Sequence, residues 1–127
     1  MAFALFTMVA GSCFAAMVGD VPASEASLGG ITLGSPMSYV RSVYGAPSES
    51  AWGKDRLNQD AVSYRYGKGF FILEKLYNNT VGELMTNANN GIATPMGITV
   101  GVPKSTVDKL YSGGRSGNGY TQYLTQN

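Results

Sequence analysis

Three short runs in the middle of the chain set large apolar side chains against the two-residue repeat of a pleated strand. Ala61-Val62-Ser63-Tyr64-Arg65-Tyr66 alternates, and Phe70 to Tyr77 and Val81 to Thr86 are rich in aromatic and aliphatic residues. Gly67-Lys68-Gly69 and Asn78-Asn79-Thr80 separate the runs with turn-forming residues, so the segment predicts a three-stranded antiparallel meander. A three-residue second turn sets Lys75 opposite Glu83 and avoids a pairing of Glu74 with Glu83. In that register Val62, Tyr64, Tyr66, Phe70, Ile72, Leu76 and Leu84 share one face, and Arg65, Phe71, Leu73, Lys75, Tyr77, Glu83 and Met85 share the other. The first, less charged face is expected to take a helix.

Spacings of three and four occur on either side of the meander, in a motif used twice. Gly30-Ile31-Thr32-Leu33-Gly34-Ser35-Pro36-Met37-Ser38-Tyr39-Val40-Arg41-Ser42-Val43-Tyr44 recurs from Gly97 to Tyr111, 67 residues later (97 − 30), with identity at Gly, Ile, Thr, Gly, Pro, Ser, Val and Tyr. Gly34 and Gly101 permit a sharp bend, and Pro36 and Pro103 suit the first turn of a helix. Val40, Val43 and Tyr44, and Val107, Leu110 and Tyr111, then predict one narrow buried stripe per helix. Gly45 with Pro47, and Gly113 with Gly114, end the helices. At two to three turns neither helix is stable alone, so each is expected to dock on a sheet. After the second helix only Gly114 to Asn127 remain, with Tyr120 to Leu124 as one candidate strand, so either the second unit is incomplete or the chain is cut short.

Upstream, Ala2 to Val18 is apolar and uncharged, and shorter than the roughly 20 residues of a membrane-spanning helix. It reads as the apolar region of a signal peptide. Cleavage after Ala15 places Cys13 and Ala15 where a signal peptidase requires small side chains, although no Lys or Arg precedes the run. A second reading takes Ala10-Gly11-Ser12-Cys13 as a degenerate lipobox with a lipid anchor at Cys13. The expected organisation is a signal peptide over 1–15, a linker over 16–28 and one α+β domain over 29–127. Within that domain the first repeat covers 29–90 and a partial second repeat 91–127. The mature chain contains no expected membrane span.

Composition removes several chemistries. The 127 residues include no histidine, the commonest general base and metal ligand, and the single cysteine, Cys13, can form neither an internal disulfide nor a Cys-x-x-Cys site. Net charge is +1 without a basic block, which argues against a nucleic-acid partner. Glu74 and Glu83 read as surface charges rather than an acid/base pair. Lys104 and Ser105, adjacent on a helix, point about 100° apart and cannot act on one another. No cofactor is expected. Aromatic residues are the remaining means of recognition, since they supply contact area at low entropic cost. The open face of the meander therefore nominates Arg65, Phe71, Lys75 and Tyr77 as partner-binding residues, joined by Trp52 in the polar loop from Ser48 to Asp60.

The order of motif, helix, meander and motif again resembles the SmpA/OmlA and β-lactamase-inhibitory-protein-like group of envelope and secreted proteins. The matching residues are Gly34-Ser35-Pro36, Val40, Val43 and Gly45-Ala46-Pro47, then Gly101-Val102-Pro103, Val107, Leu110 and Tyr111. The resemblance implies a tandem helix-plus-sheet fold and a non-catalytic exported role, either protein binding in envelope assembly or inhibition of a secreted enzyme. It carries over no binding residue.

Overall fold

A computed structural model describes residues 5–7 and 20–126. The fold is α+β, as the periodicities predict. Strands β1 (Leu5–Thr7), β4 (Glu49–Lys54), β5 (Asp60–Tyr66), β6 (Phe70–Lys75) and β7 (Thr80–Thr86) form an antiparallel sheet in the order β1-β7-β6-β5-β4. Two smaller pairs accompany it, β2 (Ser27–Leu28) with β3 (Ile31–Thr32) and β8 (Arg115–Ser116) with β9 (Thr121–Gln122). The helices are α1 (Met37–Tyr44) and α2 (Lys104–Leu110).

Backbone chemistry explains how α1 is seated. Gly34 has a φ of 86°, a left-handed conformation open to glycine, and donates its N–H to the Val81 carbonyl at 2.8 Å, while Val81 N–H donates to Ser35 at 2.9 Å. The motif is thereby stitched onto β7. Pro36 caps the helix with extended dihedrals and brings no donor of its own, and the Met37 N–H finds the Asn79 carbonyl at 2.9 Å. Gly45, at a φ of 74°, ends the helix.

The expected face of the meander does receive α1. Met37 and Val40 pack with Tyr66, Phe70, Ile72, Val81 and Leu84, and Leu28, Ile31 and Leu33 from the β2–β3 segment complete this core. The predicted stripe holds at Val40 and the half-buried Tyr44 but not at Val43, which is 51% exposed; Met37 takes its place facing inward. The same shift recurs in α2, where Val107 and Tyr111 are buried but Leu110 is 43% exposed. In both helices the valine and the tyrosine four positions later face inward, and the residue three after the valine turns outward.

The second helix does not dock on the five-stranded sheet. Val107 and Tyr111 form a separate cluster with Val21 and Ile98, against which Val102 and Tyr123 pack. Val21 bridges to Thr125 in parallel fashion, and its N–H and carbonyl pair with Leu124 and Gln126. The segment read as a linker is accordingly structured from residue 20 onward, because Val21, Glu25 and Leu28 are each buried and the chain turns once through a 3-10 helix at Ala23–Glu25. Of the expected signal peptide, Leu5–Thr7 pairs with β7; residues 1–4 and 8–15, with Cys13, lie outside the described residues.

The β6–β7 register also departs from expectation. Leu73, not Lys75, stands opposite Glu83, and a bulge between Leu73 and Glu74 brings Lys75 opposite Thr80. A further correction concerns the loop from Ser48 to Asp60, whose first half is the edge strand β4.

Candidate functional site

On the sheet face away from α1, cross-strand pairing lines up Arg65, Phe71 and Met85 in one row and Ser63, Leu73 and Glu83 in the next. Among the described residues no helix packs on this face. Ser63, Phe71, Leu73, Glu83 and Met85 line a shallow groove of about 90 Å³. Its apolar middle, Phe71, Leu73 and Met85, is bordered by charge: Arg65 Nη2 donates to Glu49 Oε1 at 2.8 Å, and Arg56 approaches Glu83 at 4.0 Å. Arg65 Nε is buried and has no partner among the described residues.

The five nominated residues divide into three groups. Arg65 and Phe71 are neighbours on the open face, as the alternation required. Lys75 is corrected: it is only 5% exposed, and its aliphatic stem lies so close over Gly82 that a Cβ there would fall 2.8 Å from Lys75 Cγ and Cε. The bulge creates this arrangement, since β7 meets the stem with a glycine. Lys75 thus packs the sheet and offers no projecting contact.

Tyr77 and Trp52 lie elsewhere. Tyr77 is 60% exposed in the β6–β7 turn and lines an open cavity of about 470 Å³ with Lys54, Asn58, Gln59, Asp60 and Leu76. Trp52, 77% exposed, pairs with Val62 and so belongs to the α1 side of the sheet, at the β4 edge that α1 leaves uncovered. Leu73 and Met85 were missed as contact residues, although the strict alternation from Phe71 already placed them beside it.

The buried acids act within the fold. Glu74, expected at the surface, is 2% exposed; it accepts hydrogen bonds from Tyr64 Oη at 2.8 Å and Asn79 Nδ2 at 3.0 Å and lies 3.6 Å from Arg41 of α1. Burial, then the bond to Glu74, pushes the Tyr64 phenol above its ordinary pKa. Burial likewise raises Tyr66, whose hydroxyl has no partner among the described residues. Among the described residues no group of three or more His, Cys, Asp or Glu is placed to hold a metal ion, and no helix is long and apolar enough to cross a membrane.

No protein-family model, curated protein or solved structure matches the chain.

Proposed function

We propose that this protein is a non-catalytic, exported protein-binding or envelope-assembly module. The observation that supports this reading is the row of Phe71, Leu73 and Met85 on a sheet face without a covering helix, bordered by Arg65–Glu49 and Arg56–Glu83. An apolar centre with a charged rim is the usual build of a protein interface. The resemblance to SmpA/OmlA-like proteins points the same way.

The test is capture of partners from the envelope fraction of the producing cells. Phe71→Ala should reduce retention by more than about fivefold, corresponding to roughly 1 kcal/mol, with the far-UV circular dichroism unchanged. Undiminished capture would remove the open face from consideration. Export is read out by N-terminal sequencing, with a start near Ala16 expected. An acylated Cys13 would convert the module to a lipoprotein, and a cytoplasmic product starting at Met1 would refute export.

A second reading, an enzyme-inhibitory protein of the β-lactamase-inhibitor type, is favoured by the separate cluster around α2, which gives the second motif copy a core of its own. Inhibition of a secreted hydrolase by the purified protein separates the two.

A further inference from the structure

We propose that the outer edge of β7 is a strand-acceptor site, filled by Leu5–Thr7 in the intact chain and by an extended apolar peptide of the protein partner once that segment has left. This rests on the export reading, because removal of the N-terminal segment is what frees the edge.

The two long edges of the sheet are built differently. β4 protects its edge with Glu49, Gly53 and Lys54, and its two charges pair inward with Arg65 and Asp60. β7 is Thr-Val-Gly-Glu-Leu-Met-Thr, with one charge in seven residues and Val81, Leu84 and Thr86 buried. The Gly34–Pro36 segment already pairs with Thr80 and Val81, so without β1 it is the portion of β7 beyond the bulge that would end the sheet with unpaired backbone groups and little to repel an incoming strand.

The present occupant shows which part of the edge is used. Leu5 pairs with Met85, Phe6 with Leu84 and Thr7 with Glu83, all on the regular portion of β7 beyond the bulge. An uncharged segment therefore fits here, and its position opposite Met85 extends the open-face row of Arg65, Phe71 and Met85 by one strand. A partner strand added at this edge would make main-chain bonds to β7 while adjoining the apolar groove, which is the mode of β-strand addition.

The experiment uses the full chain and a fluorescein-labelled synthetic peptide of the sequence Ala2 to Met8, with binding followed by anisotropy. Phe6→Pro in the protein removes a backbone donor and disfavours strand pairing without shortening the chain. The variant should bind the peptide at least about tenfold more tightly than the wild type, whose edge is occupied, and a peptide carrying Pro at the Phe6 position should not bind. Amides of Glu83 to Met85 should exchange faster in the variant and be protected again by the peptide. Should Phe6→Pro fail to fold, Thr7→Pro is read in the same way. Equal binding by wild type and variant, or binding by neither, overturns the proposal. Reduced partner capture by Phe71→Ala without peptide uptake by Phe6→Pro leaves the binding-module reading standing and removes only the acceptor site.

Discussion

Tyr111 donates its hydroxyl to Glu25 Oε1 at 2.7 Å, a bond between two buried side chains 86 positions apart. The same carboxylate accepts the Met96 N–H at 3.1 Å, and Tyr111 Oη also reaches Thr94 Oγ1 at 3.2 Å. One acid of the N-terminal segment thus holds the second copy of the motif. Tyr111→Phe keeps the ring and leaves Glu25 short of a donor. We expect a loss of about 2 kcal/mol, within the range for hydrogen bonds to charged groups, measured by urea unfolding. An unchanged midpoint would mean that the contact is dispensable.

The same phenol makes stability depend on alkaline pH. Burial holds Tyr111 well above its ordinary pKa, with the Glu25 bond adding to the shift and the Thr94 bond opposing it. Burial and the hydrogen bond to Asp108 push Tyr123 up to about 12. In the unfolded chain these groups ionise near about 10. Their contribution is therefore fully present below about pH 10 and is lost as pH rises through the folded values. Urea midpoints should fall as pH rises from about 10 toward about 12, and the slope should be shallower in Tyr111→Phe. Parallel slopes for the two proteins would refute this assignment.

The helix stripes give a paired test. Val40 is fully buried and Val43 is half exposed, although both lie in one short helix. Val40→Ala should cost about 2 kcal/mol and Val43→Ala less than about 0.5. In α2, Val107→Ala should likewise exceed Leu110→Ala. Thermal melting that ranks either pair the other way would reverse that helix on its support.

Gly29 and Gly30 separate backbone strain from packing. Both have positive φ, 61° and 82°, but a Cβ at Gly29 would lie 2.6 Å from Tyr44 Oη and 3.3 Å from Phe70 Cζ, whereas one at Gly30 meets nothing within 4 Å. Gly30→Ala should cost about 1 to 2 kcal/mol from conformation alone, and Gly29→Ala several kcal/mol in total. Equal losses in chemical denaturation would show that Tyr44 and Phe70 yield without cost.

The parts of this fold legible in the sequence are those where one residue type decides the outcome. Gly67 and Gly69 mark the hairpin, and Tyr66 pairs with Phe70 across it. The two Gly-x-Pro segments mark both helix starts. β4 escaped notice because all six of its residues are exposed, and an edge strand with no buried face has no alternation to reveal. Val21, Glu25 and Leu28 are buried singly, without a period, by residues distant in sequence. The bulge at Leu73/Glu74 shifted the start of β7, and Lys75 went with it from the surface into the sheet. At the open face, alternation placed Arg65 and Phe71 together, while the separate location of Trp52 depended on a strand that the sequence pattern did not disclose.

The parallel bridge between Val21 and Thr125 also has a mechanical meaning. Where two segments run side by side in the same direction, tension applied at the start of one and the end of the other slides them past each other and strains both hydrogen bonds at once. Antiparallel ends would peel apart one bond at a time. A pull between Asp20 and Gln126 therefore loads the Leu124 and Gln126 bonds to Val21 in shear, and the cluster around α2 lies directly in the path of that force.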